Sequence, residues 1–162
     1  MIAIVTVTRD WGIGKDGRLL VKNPADMKRF REITLGHTVI LGRKTLESFP
    51  GGRPLPGREN LIMSTSMEAA PEGARVFRDV DSLLAYAPAD SYVIGGETVY
   101  RQLLPFCDRA LVTYADLLCP ADTFFPDLDA SPDWALAAEE GPYTTPEGVP
   151  FTFRDYRRRG NP

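Results

Sequence analysis

Short runs rich in apolar and β-branched residues (IAIVTVT, HTVILG, NLIMS, SYVIGG and ALVTYADL) alternate with stretches of helical period (PADMKRFREI, RKTLES, VDSLLAYA and ETVYRQLL). That alternation constrains the fold more than any other feature. Near-continuous apolar strands such as TVILG and YVIG need cover on both faces, and helices between them suit right-handed crossovers joining parallel neighbours. Beyond Thr113 the helical period stops, while WALAAEE and PFTFRDYRR keep the character of strands. The reading is an α/β fold on a mixed, mainly parallel sheet that ends in antiparallel strands. With 162 residues, 43% of them hydrophobic, and no internal repeat, residues 1–162 read as a single domain.

Charge narrows the function. A formal net charge of -3 argues against a nucleic-acid partner, and the basic RDYRRR near the C-terminus is too short to reverse that balance. The opening MIAIVTVT runs into Arg9 and Asp10, too short for a membrane span and without the charged start of a signal peptide. A cytoplasmic, small-molecule role without membrane contact is therefore expected. Cys107 and Cys119 form no CxxC pair, and with His37 as the lone histidine no metal site is expected.

The segment NPADMKRF raises a sharper question. Asn23 and Pro24 read as an N-cap and first helical residue, which puts Asp26 in the first turn, where the helix dipole favours an acid. Wound at 3.6 residues per turn, however, Asp26 falls between Phe30 and Ile33 on the apolar stripe, opposite Lys28, Arg31 and Glu32. A helix cap alone does not explain an acid pointed inward.

Three glycine-bearing segments suggest ligand contacts. Gly12, Gly14 and Gly17 spell GxGxxG after a strand, but RLLVKN intervenes before the next helix signal, so the dinucleotide-binding turn is rejected in favour of a flexible, lid-like loop. VILGRKT brings Gly42 to a strand end with Arg43, Lys44 and Thr45 on the following turn, and VIGGETVY does the same with Gly95 and Gly96. Paired at adjacent strand ends, these junctions suit the phosphates of a cofactor. In GRPLPGR, prolines stiffen a loop carrying Arg53 and Arg58, whose guanidinium forks match a carboxylate.

Together, PADMKRF, ILGRKTLESF, GRPLPGR, VIGGETVY and DTFFPD, in that order, resemble the dihydrofolate reductase family. The resemblance implies a three-layer fold around a central sheet of about eight strands, and NADPH-dependent reduction of 7,8-dihydrofolate by hydride transfer from nicotinamide C4 to pterin C6 with protonation at N5. It implies that Asp26 is the catalytic acid, accepting from pterin N3 and the 2-amino group, with Met27 and Phe30 as pocket wall. Ile4, Val5, Phe49, Leu55, Ile94 and Thr113 would complete the substrate pocket, and Arg58, with Arg53 and Arg31 nearby, would hold the glutamate α-carboxylate.

For NADPH, the resemblance places Arg43, Ser64 and Thr65 at the adenosine end with its 2′-phosphate, and Arg78 beside the adenine. Lys44, Thr45, Thr98 and the Gly95-Gly96 turn would hold the pyrophosphate, with a cis peptide between the two glycines, and Gly42, Glu97 and Val99 would also bind the cofactor. Thr6, Ile13 and Gly14 would face the nicotinamide. Diaminopyrimidine-type antifolates are expected ligands, and a monomer is the expected state. Leu20 and Val21 stand where the family usually has Pro-Trp, which puts its indole-held water in question; Leu46 replaces another frequent tryptophan, and Thr6 a small apolar residue. Two alternatives stand beside this reading: a noncatalytic pterin- or nucleotide-binding protein, and a riboflavin-pathway reductase of related fold.

Overall fold

The structure is a computed structural model and describes residues 1–160. In chain order it runs β1 (Ile2–Val7), β2 (Gly12–Lys15), β3 (Arg18–Leu19), α1 (Pro24–Thr34), β4 (Thr38–Gly42), α2 (Arg43–Ser48), β5 (Glu59–Met63) and β6 (Ala74–Phe77). There follow α3 (Val80–Tyr86), β7 (Tyr92–Gly95), α4 (Glu97–Leu103), β8 (Arg109–Ala115), β9 (Thr123–Phe124), β10 (Trp134–Thr144) and β11 (Pro150–Arg158). Eight strands form one sheet in the order β10-β11-β8-β1-β7-β4-β5-β6. From β8 to β6 every pairing is parallel, and β11 runs antiparallel to both of its neighbours. The mixed sheet with antiparallel C-terminal strands is therefore the one that strand pattern and helix spacing imply.

Alternation along the strands divides the core. On one face Ala3, Val5 and Val7 of β1 join Ile40, Leu61, Val93 and Val112, covered by Leu83 of α3 and Val99, Tyr100 and Leu103 of α4. On the other, Val39, Leu41 and Ile62 pack with Leu46 of α2, and Phe49, Leu55 and Ile94 lie partly buried against them. The central strands are apolar at successive positions because both faces are covered; Val39, Ile40 and Leu41 are all fully buried.

The segment WGIGKDG departs from the loop expected of it. Its glycines lie in a hairpin, β2 with β3, and β9 pairs on the other side of β2 to make a small second sheet. Asp16 and Gly17 form the turn with φ of 52° and 74°. Positive φ at both central positions matches the strand twist, and Asp-Gly is a favoured pair there. That dipeptide was the overlooked signal. The short strand β6 at the sheet edge, ARVF, was likewise too brief to stand out.

Helix α1 starts as its sequence implies. Asn23 accepts the Asp26 N–H at 3.2 Å, and Pro24 occupies the first turn where its missing N–H costs nothing. Among the described residues, no helix is long and apolar enough to cross a membrane, and no grouping of His, Cys, Asp or Glu is fit to hold a metal ion.

Candidate active site

Asp26 projects from the first turn of α1 toward the sheet, where β1 and β8 place Thr6 directly beside Thr113. Thr6 Oγ1 donates to Asp26 Oδ2 at 2.5 Å, and Thr113 Oγ1 donates to Oδ1. The acid thus sits half-buried at the wall of a cavity of about 230 Å³, lined among others by Thr6, Ile13, Leu20, Val21, Asn23 and Met27. This accounts for its inward position on α1: the first turn of the helix opens on a cavity. Gly12 and Ile13 of the hairpin contribute to the wall, so the small sheet shapes the site rather than hanging free of it. Asn23, 4% exposed, spends its Oδ1 on the helix cap and leaves Nδ2 without a partner among the described residues.

Ile4 follows the same alternation as Thr6 and faces α1, and Ile94, Phe49 and Leu55 continue that side toward the sheet's far half. Phe30 is half-buried, whereas Met27 is 64% exposed on the cavity rim. Val5 departs from the expected set: with a side-chain period of two it turns to the opposite face, into the larger core.

The arginines gather where the GRPLPGR loop crosses the end of α1. Arg58 donates through Nη1 to Thr34 Oγ1 at 3.1 Å and through Nε to the Pro56 carbonyl at 3.0 Å. Burial, and then the charge of neighbouring Arg31, push its guanidinium below its ordinary pKa. Two cations held together this way make a receptive place for an anion. Arg53 is exposed further back on the same loop.

Two residues escaped the sequence reading. Asn60, wholly buried at the start of β5, accepts from the Leu55 N–H at 2.9 Å and donates to the carbonyls of Leu55 (2.9 Å) and Arg58 (3.0 Å). It pins the arginine loop to the sheet. Its only sequence signal is a polar residue, second in the strand ENLIM, directly before the apolar run. Tyr100 on α4 donates its hydroxyl to the Ile4 carbonyl at 2.6 Å, with burial foremost, then the charges of Asp26 and Cys107, raising its pKa. Its only mark in the sequence is a place in the helical pattern ETVYRQLL.

The cofactor candidates converge at the carboxyl ends of three adjacent parallel strands, β7, β4 and β5, where an open α/β sheet offers a crevice. Leu41 pairs with Gly95, and Gly42 with Met63, so the two glycine junctions and Ser64 are neighbours. The Gly95–Gly96 peptide is cis. Gly95 has φ of +128°, and a Cβ there would meet Tyr100 at 3.4 Å and Thr45 Oγ1 at 3.6 Å. A cradle kept bare of side chains beside a threonine hydroxyl fits the phosphates of a dinucleotide. Lys44 and Thr98 are exposed.

Farther along, Arg43 is paired with Glu47 one helical turn on, at 2.7 Å. Arg78 donates to the carbonyls of Thr65 (3.1 Å) and Met67 (3.0 Å), and Ser64 Oγ accepts the N–H groups of Ser66 (3.2 Å) and Met67 (3.1 Å). Arg78 therefore braces the loop that presents Ser64 and Thr65. Two expected contributors, Val99 and Glu97, have their side chains otherwise placed or engaged, and a third, Gly14, has its backbone in strand pairing. Val99 is buried beneath Gly42, whose added Cβ would come within 3.1 Å of it. Glu97 accepts the Phe124 N–H, joining α4 to the small sheet. Gly14 pairs with Leu19 and Thr123 inside that sheet.

Residues 1–158 match the family model for dihydrofolate reductase. The chain is 39% identical over 150 residues to the dihydrofolate reductase of Mycobacterium tuberculosis (strain ATCC 25618 / H37Rv), covering 90% of each chain. It is 34% identical over 152 residues to that of Bacillus subtilis (strain 168), covering 92% of this chain and 89% of the relative. Among solved structures, dihydrofolate reductase from Enterococcus faecalis, complexed with NADP(H) and RAB-propyl, matches with a TM-score of 0.86 at 33% identity, over 98% of this chain and 96% of that one. Agreement of sequence and fold over nearly the whole length places this chain in the dihydrofolate reductase family.

Proposed function

We infer that the protein reduces 7,8-dihydrofolate to 5,6,7,8-tetrahydrofolate with NADPH, a reaction that supplies one-carbon metabolism. The observation that carries this reading to the site is the Asp26 carboxylate, held by two threonine hydroxyls at a cavity wall. Its outward oxygens form an acceptor pair that suits the N3 and 2-amino edge of a pterin. When bound, NADPH would supply the hydride for pterin C6, with a proton taken up at N5. The chain's own part is alignment, exclusion of water and charge. Ile4, Phe30, Phe49, Leu55 and Ile94 give the pterin and its arylamide tail an apolar wall, and Arg58 with Arg31 receives the glutamate carboxylate. The glycines at 42, 95 and 96, with Thr45, admit the pyrophosphate, and Arg43, Ser64, Thr65 and Arg78 surround the adenosine end. Residues 1–162 act as one domain, a cytoplasmic monomer that binds diaminopyrimidine-type antifolates in the pterin site.

Loss of NADPH absorbance on adding dihydrofolate tests the reading directly. Asp26→Asn should cut turnover at neutral pH by about a hundredfold or more, with partial recovery at lower pH where the substrate arrives protonated. No turnover by the parent protein would return it to the noncatalytic alternative. Parental turnover by the asparagine variant would reduce Asp26 to a helix-cap residue.

A further inference from the structure

We propose that Thr6 is a positioning residue for the pterin-binding acid: together with Thr113 it sets the Asp26 carboxylate as a two-oxygen acceptor for ligands that present two parallel N–H donors. The proposal rests on the reading of Asp26 given above and departs from a role for Thr6 at the nicotinamide.

The geometry begins with strand register. Thr6 and Thr113 are direct partners across parallel β1 and β8, so their side chains stand side by side on the face toward α1. Asp26 descends between them, Oδ2 taking the Thr6 hydroxyl at 2.5 Å and Oδ1 that of Thr113. Each carboxylate oxygen has two in-plane lone pairs. Filling one on each oxygen from the sheet side fixes rotation about the Cβ–Cγ bond and leaves one lone pair on each oxygen free. An amidine-like edge, with a ring N–H beside an exocyclic NH2, engages both. A ligand offering a single donor there leaves a buried lone pair unmatched, which is how such a site discriminates.

The two threonines differ in setting. Thr113 is 4% exposed, locked in the sheet, while Thr6 is half-buried and lines the cavity itself. Thr6 therefore supplies the donor nearest the ligand, and with Thr113 alone Oδ2 would be free to swing toward cavity water. The bland account is a β-branched residue favoured in a strand whose hydroxyl merely finds an acceptor. Thr6→Val preserves shape and branching while removing that hydroxyl, and so separates the two.

The test uses calorimetric binding of a 2,4-diaminopyrimidine antifolate to the cofactor-free protein, NADPH binding, and steady-state kinetics with dihydrofolate. Thr6→Val should weaken the antifolate and raise KM for dihydrofolate by roughly tenfold, the loss of one hydrogen bond to a charged group, with the NADPH dissociation constant unchanged. Thr6→Ser, which restores the hydroxyl, should recover most of the affinity. Parental antifolate binding by Thr6→Val overturns the proposal, and so does weakening of NADPH to the same degree, which would put Thr6 at the nicotinamide. Asp26→Asn in the same binding assay keeps the two claims apart: full antifolate affinity there removes the acid's role, whereas lost affinity there beside an unaffected Thr6→Val removes only the role of Thr6.

Discussion

Asn60→Ala should loosen the arginine loop from the sheet. Three hydrogen bonds of 2.9–3.0 Å disappear, and the Leu55 N–H and the carbonyls of Leu55 and Arg58 lose their partner at a site with no solvent access to the side chain. At about 1 kcal/mol net per neutral hydrogen bond, the loss comes to roughly 3 kcal/mol, a large part of the stability of a domain. Urea unfolding reads this term. The functional consequence is more specific, because Leu55 and Arg58 ride on the loop: if Arg58 receives the glutamate as proposed, KM should rise for dihydrofolate and stay near parental for an analogue lacking the glutamate. NADPH affinity should hold, since the glycine junctions lie on other strand ends. Asn60→Asp sharpens the test by keeping an acceptor for Leu55 N–H while setting a carboxylate against two carbonyl oxygens, so it should lose at least as much at neutral pH. Stability within about 0.5 kcal/mol of the parent, the scatter expected of an inert surface change, together with unchanged KM for both substrates, would refute the reasoning.

Arg43→Ala should weaken NADPH about tenfold or more and NADH little, as expected for a charge-assisted contact to the 2′-phosphate; equal losses in parallel titrations would move Arg43 away from that phosphate. Val21→Trp points a large side chain into a cavity of about 230 Å³, so it should be accommodated with a small change in thermal stability and a selective change in the pH–rate profile; a large stability loss with an unchanged profile would make Val21 a packing residue. Ellman's reagent at pH 8 should label one thiol quickly, the half-buried Cys119, and both after denaturation, because burial pushes the Cys107 thiol up to about 11 from 9.0. The sign follows: unfolding lets Cys107 ionise at its ordinary value, so its contribution to stability is whole below pH 9.0 and is lost as pH rises through about 11, which Cys107→Ser should remove from the alkaline limb of a stability profile.

The helices and the long strands were legible because they are local: NPADMKRFREI carries its own cap, period and inward acid, and TVILG its own two-sided burial. The glycine junctions and the proline-stiffened arginine loop were legible for the same reason, since turn chemistry depends on neighbours in the chain. Asp-Gly at residues 16 and 17 was also written there, and its hairpin was missed only because the flanking strands are four and two residues long. What tertiary structure alone decided is which distant residues share a face and a hydrogen bond. Val5 and Thr6 are adjacent, similar in strand preference and indistinguishable by pattern, yet one enters the core and the other holds Asp26. Asn60 became an anchor because a loop folds back over it, and Glu97 a link because β9, 26 residues later, brings Phe124 within reach. Side-chain hydrogen bonds act over about 3 Å, and no regularity along a single chain encodes a distance that strand order and register must first create.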